Sequence, residues 1–316
     1  MYSPPDMTLW KGRIDLEPEG DVRRWHQCVA PLPPGEAEPG LALFGICCDC
    51  GVRRNLGREG ARDGPDALRR ALAGQAWHLP VCCYDAGNLS CPDDDLEALQ
   101  EEEAAWVDRL LEAGHFPLLL GGGHEIAFGG YLGLSRYLER HQGASRLGII
   151  NFDAHFDLRS APLPSSGTPF LQMAEHCRLR QAPFRYLCLG ISEVANTAAL
   201  FRKAGELGTK WLRDEELASW NLAAAERVLR DFLAECDALY LSIDLDVLPA
   251  SVAPGVSAPA ARGISLEVVE HLIGVVRGSA GRMLRVADIA EYNPRFDPDG
   301  RTAKVAARLC HLLARR

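Results

Sequence analysis

Leu147-Gly148-Ile149-Ile150-Asn151-Phe152-Asp153-Ala154-His155-Phe156-Asp157-Leu158-Arg159 is the stretch whose reading decides the fold. Its first half is a short apolar run, the pattern of a strand buried on both faces of a parallel sheet. Its second half sets Asp153, His155 and Asp157 at alternate positions. If the backbone stays extended past the strand end, that spacing points all three side chains the same way. Two carboxylates and an imidazole gathered without partners repel one another and lose hydration. A divalent cation relieves both penalties, so the remaining ligands should lie elsewhere in the chain.

Other strand ends answer that expectation. An apolar run over residues 116–120 ends in Gly121-Gly122-Gly123-His124-Glu125, and a run over 239–243 enters Asp244-Leu245-Asp246. The last expected strand, 284–289, is followed by Ala290-Glu291-Tyr292. Further strands are expected at 41–48, 79–84, 185–189 and 210–211. Helices are expected from 63 to about 73, 93 to 114, 126 to 138, 196 to 204 and 221 to 236, after Ser265, and at 302–314. Strands alternating with helices predict one α/β domain, its central parallel sheet covered on both faces. Ligands of such sheets bind outside the carboxyl ends of the strands, where all these polar residues fall. Residues 1–40 are polar and Pro-rich and read as an N-terminal arm lying on the surface, leaving 41–316 as the domain. The Gly- and Arg-rich turn at 49–65 matches neither GxGxxG nor GxxxxGK[ST] and reads as a rim loop.

At 316 residues with 47% hydrophobic and 24% charged residues, the composition is that of a soluble globular protein. The net charge of −9 argues against a nucleic-acid partner. No apolar run approaches the ~20 residues that span a bilayer, so no membrane partner is expected. Eleven cysteines, an odd number, with no signal-peptide pattern at the start, predict reduced thiols and a cytoplasmic protein. Cys47 and Cys50 have the spacing of half a zinc site but lack a second pair, so they read as small buried residues.

Two imidazoles and four aspartates exceed the needs of one ion and suit two. Oxygen-rich ligation favours manganese over zinc or copper. Two ions ~3.5–4 Å apart activate a shared water and polarise an electrophile. The motifs GGGHE, NFDAHFD and SIDLDVLP, taken together, resemble the metal motifs of the ureohydrolases, a family that includes arginase and agmatinase. The resemblance runs from about residue 41 to the C-terminus. It implies a three-layer α/β/α arginase-like fold and two Mn²⁺ ions per subunit. His124 and Asp157 would bind one ion, His155 and Asp246 the other, and Asp153 and Asp244 would bridge. Glu291 falls where the family places a carboxylate that meets a cationic guanidinium or amidine. Relatives form trimers and hexamers, which implies a homo-oligomer.

Departures from the arginase and agmatinase patterns narrow the resemblance. Aligning Ser166-Gly167 places Phe170 where arginases carry a proton-shuttling histidine. Aligning Gly167-Thr168 places Ser166 where agmatinases carry one. Arg159 stands where arginase has an asparagine, and Phe156 replaces a common threonine. These positions, with SSGTPF, GVRRNLGREGARDGP and Leu9-Trp10-Lys11-Gly12-Arg13, look most like the formimidoylglutamase branch, which acts in histidine breakdown. The implied reaction is hydrolysis of N-formimidoyl-L-glutamate to L-glutamate and formamide. Arg159 offers a planar fork to a substrate carboxylate, and arginines of the 53–62 loop could reach a second one. Ser166 and Thr168 are expected substrate contacts, and Asp157 and Glu291 the catalytic residues. The alternatives are a ureohydrolase acting on another guanidino acid or amine, or an inactive metal-binding homologue.

Overall fold

The structure is a computed structural model that describes residues 1–16, 19–35, 37–143 and 145–315. Glu17, Pro18 and Glu36 of the expected arm lie outside the described residues. Among those described, one sheet contains β1 (Tyr2–Ser3), β2 (Val29–Pro31), β3 (Leu41–Cys47), β4 (Cys83–Ser90) and β5 (Phe116–Leu120). It continues with β6 (Leu147–Phe152), β7 (Arg185–Ile191), β8 (Lys210–Arg213), β9 (Ala238–Asp244) and β10 (Leu284–Ala290). The spatial order is β1-β4-β3-β5-β10-β9-β6-β7-β8, with β2 also paired to β4. Only β1 runs antiparallel to its neighbour.

Two apolar layers close the faces. On one, α1 (Trp25–Cys28), α3 (Gly64–Ala73), α8 (Leu222–Ala234), α9 (Leu266–Ala280) and α10 (Arg301–Ala314) pack Trp25, Leu68, Leu229, Val268 and Leu309 onto the sheet. On the other, α2 (Cys50–Arg54), α4 (Leu96–Glu112), α5 (Ile126–Gln142), α6 (Pro169–Leu179) and α7 (Ala198–Glu206) contribute Cys50, Leu99, Leu134, Met173 and Leu200. A fully buried side chain of leucine size stabilises by roughly 1.5–3 kcal/mol, so both layers are needed to hold strands that are apolar on both sides. The helices start where their sequence signals lie. Asp95 caps α4 by accepting from the Ala98 amide at 3.0 Å, and Pro65 and Pro169 sit in the first turns of α3 and α6. The result is the expected three-layer α/β/α architecture.

Four expectations need correction. The strand expected at 79–84 is β4, displaced to Cys83–Ser90. Pro80 cannot donate to a ladder, while Asp85, Asn88 and Ser90 disguise the true strand. Asp85 is tolerated because Arg69, itself 1% exposed, pairs with it at 2.7 and 2.8 Å, and Trp10 Nε1 donates to it at 2.8 Å. The helix expected at 196–204 begins at Ala198, because Asn196 is taken up by the loop before it, donating to Ala154 and Ser192 carbonyls. The rim loop at 49–65 contains α2 and a 3-10 turn, Ala61–Asp63. The N-terminal segment also does more than lie on the surface. It supplies β1 and β2, and it buries Trp25 completely between Trp77 and His311.

The sheet order positions the site. β5, β10, β9 and β6 are adjacent in the centre, and they are the four strands that lead into His124, Glu291, Asp244 and Asp153. Side chains distant in sequence therefore meet at the carboxyl edge of one contiguous half-sheet.

Candidate metal centre

His124 follows β5 because Gly121-Gly122-Gly123 can press against the neighbouring strand ends. A β-carbon on Gly122 would stand 2.2 Å from the Cys48 carbonyl oxygen, which only glycine avoids. The amides of Gly122 and Gly123 donate to the carbonyls of Ile46 and Cys48, fixing the loop. His124 Nδ1 then faces Asp153 Oδ2 at 3.2 Å, Asp157 Oδ2 at 3.0 Å and Asp244 Oδ2 at 3.1 Å. A second group forms around His155, whose Nδ1 lies 3.4 Å from Asp153 Oδ1 and 3.1 Å from Asp246 Oδ2. All six expected ligands thus converge in two clusters. Asp153 belongs to both. Asp244 belongs to the first, with its Oδ2 facing His124 and its Oδ1 accepting the Asp246 amide at 2.8 Å.

Each carboxylate is held by its surroundings. Asp153 accepts from Asn151 Nδ2 at 2.9 Å and from the His155 amide at 2.6 Å. Asp157 and Glu291 take φ of 47° and 65°. For side chains with a β-carbon the left-handed region costs energy and survives only where the surroundings impose it, commonly at functional sites. Glu291 Oε1 accepts the His124 amide at 2.9 Å, while its Oε2 is buried without a partner.

The electrostatics call for positive charge. Burial raises the Asp157 carboxyl to about 6, with the charge of Asp153 adding to the effect. Burial likewise raises Glu291 to about 8, with Glu125 contributing. Burial works against protonating His124 and His155, yet the surrounding carboxylates overcome it and hold both imidazoles well above their usual range. For Asp153 burial acts upward, and the two imidazoles outweigh it, leaving the carboxyl below its usual range. A divalent cation meets the same demand with the imidazoles neutral. The donor set fits one. His124 Nδ1 is buried with no hydrogen-bond partner, and its other nitrogen lies 2.8 Å from Ser242 Oγ, which donates to Asp288 at 2.8 Å. Tyr240 donates to the second Asp288 oxygen at 2.5 Å. This chain places the imidazole proton on Nε2 and leaves Nδ1 free to ligate, the usual arrangement behind a metal-bound histidine.

A cleft of about 310 Å³ opens over the clusters, lined by His155, Asp157, Asp246, Glu291, Ser166 and Arg159. Arg159 is exposed at its mouth. Other expected contacts are spent on partners within the protein, though Arg58 of the 53–62 loop also lines the cleft. Thr168 is buried, its hydroxyl occupied by the Ser165 amide and carbonyl and by Gln172, so it builds the loop and does not line the cleft. The arginines of the 53–62 loop are already engaged: Arg53 with Asp94, Arg54 with Glu97, Arg62 with Asp49, and Arg58 with two backbone carbonyls and the Phe296 ring. Phe156 points away from the cleft and packs edge-on against Phe201 and Trp211. Phe170 sits edge-on to His124 at 5.3 Å and stacks on Tyr186 at 4.5 Å, so an apolar ring occupies that flank of the centre. Sequence reading missed Asn55, which lines the cleft and donates to Ser166 at 3.2 Å, and the Ser242–Asp288–Tyr240 chain. The signal for the latter was present: Ser242 and Asp288 are polar residues inside otherwise apolar strands.

The sequence model of the Arginase family matches residues 39–314. A curated formimidoylglutamase from Aeromonas hydrophila is 54% identical over 314 residues, covering 99% of this chain and 98% of that one. Among solved structures, formimidoylglutamase from Bacillus subtilis superposes with a TM-score of 0.81 at 21% identity, covering 95% of this chain and 93% of that one, a likeness of fold. Formiminoglutamase from Trypanosoma cruzi, solved with Mn²⁺, gives a TM-score of 0.76 at 25% identity over 90% of this chain and 95% of that one.

Proposed function

The chain belongs to the arginase family, and from that membership we infer that it hydrolyses the C–N bond of a linear amidine, N-formimidoyl-L-glutamate, to L-glutamate and formamide. The observation that carries the choice of substrate is full-length identity of about half to formimidoylglutamases. Two arginines, Arg58 and Arg159, in the cleft that bears the carboxylate cluster are consistent with it. The substrate carries carboxylates at one end and a cationic amidine at the other. Arg159 and the carboxylate cluster offer the matching charges in the same order.

We propose that the centre would hold two divalent cations, one through His124, Asp157 and Asp244, the other through His155 and Asp246, with Asp153 and Asp244 shared between them. The oxygen-rich ligand set makes manganese the natural choice. When bound, such a pair supplies Lewis acidity and lowers the pKa of water at the site. The chain's own residues do the rest. Glu291 Oε2, without a partner in the protein, receives the protonated imino nitrogen and holds the formimidoyl carbon over the centre. Asp157 takes a proton from the attacking water and delivers it to the departing glutamate nitrogen. No histidine is needed for that transfer, in keeping with Phe170 at the shuttle position. Arg159 pairs with a substrate carboxylate, and Ser166, braced by Asn55, donates to the substrate. Thr168 supports the Ser165–Ser166 turn.

The catalytic unit is the domain at 41–316, with 1–40 as an appended segment, working as a homo-oligomer in cytoplasmic histidine degradation. Product analysis on the Mn²⁺-loaded enzyme tests the reading. Formamide and glutamate should appear in equal amounts from N-formimidoyl-L-glutamate. Urea released faster from arginine, agmatine or guanidinobutyrate would overturn the substrate, and no turnover on any amidine would overturn the activity.

A further inference from the structure

Three thiols gather on the same edge of the sheet as the carboxylates and take no part in that centre. Cys48 follows β3 and Cys91 follows β4. These strands pair with Cys47 level with Ser90, so the next residue on each meets the other across the register. Cys50, at the start of α2, folds back between them, with Cys48 Sγ 2.9 Å and Cys91 Sγ 3.7 Å from its own sulfur. All three are buried and none is in a disulfide. Their ligand atoms all lie within 4.8 Å of one another. A buried carboxylate adjoins them. Glu125 Oε1 accepts the Gly51 amide at 2.9 Å, its Oε2 has no hydrogen-bond partner, and the Cys48 thiol lies beside it. An orphaned buried carboxylate oxygen is costly unless something cationic or protic reaches it. A cleft of about 510 Å³, lined by Asp63 and Asp66 and also by Arg62 and Arg70, opens onto Cys91.

We propose that Cys48, Cys50 and Cys91 form a separate site for one thiophilic cation of the zinc type, with water as its fourth donor. Three sulfurs and one oxygen are the donor set that selects zinc over manganese. Around a tetrahedral ion with metal–sulfur bonds of about 2.3 Å the sulfurs stand roughly 3.8 Å apart. The Cys50–Cys91 pair already meets that spacing at 3.7 Å, and Cys48 has to draw back from 2.9 Å. The sequence offered half a site at Cys47 and Cys50. Folding replaces Cys47 with Cys48 and supplies Cys91 from the neighbouring strand end. The ion would tie the ends of β3 and β4 to the start of α2, whose Gly51 amide is in turn held by Glu125, the neighbour of His124.

The test uses Mn²⁺-loaded enzyme purified under reducing conditions and titrated with Cd²⁺. One added equivalent should bind and produce a thiolate-to-cadmium charge-transfer band, and elemental analysis of enzyme supplied with Zn²⁺ should show one zinc beyond the manganese. Cys91→Ser and Cys48→Ser should each weaken Cd²⁺ binding at least tenfold and remove most of the band, while Cys91→Ser keeps its manganese and its hydrolytic activity. Should Cys48→Ser misfold, Cys91→Ser, at the end of the cleft, carries the test alone. No band at one equivalent, a band that survives in Cys91→Ser, or a Cys48–Cys50 disulfide in place of metal uptake would each overturn the proposal.

Discussion

Ser242→Ala probes how the fold prepares His124 for a metal. The hydroxyl stands between His124 Nε2 and Asp288 Oδ1, 2.8 Å from each, and all three residues are buried. Its removal leaves two buried polar atoms without partners, and each costs about 1–3 kcal/mol. The alanine methyl restores neither contact. The imidazole also loses the partner that keeps its proton on Nε2. A ring protonated on Nδ1 presents a hydrogen to the carboxylates, where a ligand needs a lone pair. Loss of such an outer partner commonly weakens metal affinity about 10–100-fold, or roughly 1.4–2.8 kcal/mol. Free Mn²⁺ measured by electron paramagnetic resonance during titration gives the affinity, and thermal denaturation reports whether the fold is intact. Tyr240→Phe is the control: it keeps the Ser242–Asp288 link and removes only the 2.5 Å contact to the far oxygen, so its affinity loss should stay under about tenfold. A folded Ser242→Ala protein that binds Mn²⁺ within about twofold of the parent would refute the reasoning.

Metal-free protein should lose stability as pH rises. Glu291 and Asp157 are raised to about 8 and about 6, so the unfolded chain releases those protons first and the folded state is penalised through that window. The raised imidazoles of His124 and His155 stabilise at low pH and lose that contribution in the same direction. The melting temperature of chelated enzyme should therefore fall from about pH 5 to about pH 8, with Mn²⁺ restoring most at the upper end; a rise over that interval would contradict it. Arg159→Met should raise KM for N-formimidoyl-L-glutamate about tenfold or more with kcat little changed, since a charge-assisted pair of about 1.5–3 kcal/mol is lost; equal KM values would remove Arg159 from the substrate site. Arg69→Met should destabilise by about 3–5 kcal/mol by stranding Asp85, and Arg69→Met/Asp85→Leu should recover part of the loss, as read by urea denaturation.

The half-sheet at the centre was legible because its strands are apolar on both faces and end in residues that only a ligand explains. β4 was not, since Asp85 contradicts a buried strand until Arg69, on a helix before it, and Trp10, far earlier in the chain, are seen to neutralise it. The six metal-type side chains were legible from their places at strand ends, while their division was partly hidden: nothing in Asp244-Leu245-Asp246 says that the first faces His124 and the second His155. Arg159 could be picked out by its place after the ligand trio. Arg53, Arg54, Arg58 and Arg62 look equally suitable in one dimension, and only tertiary structure shows that each already has a partner. Thr168 misled for the same reason, its hydroxyl being consumed three residues away at Ser165 and four away at Gln172.

The pairing of β4 bears on how the sheet edge is covered. β3 covers one side of it, while the other is shared by two fragments of the first thirty-one residues, β2 against Cys83–Asp85 and β1 against Asn88 and Leu89. An eight-residue strand with bare amides and carbonyls is a template for strand addition from another chain. At the opposite border the sheet ends in β8, only four residues long. The amino-terminal segment thus acts as insulation against intermolecular β-pairing, a protective duty separate from catalysis.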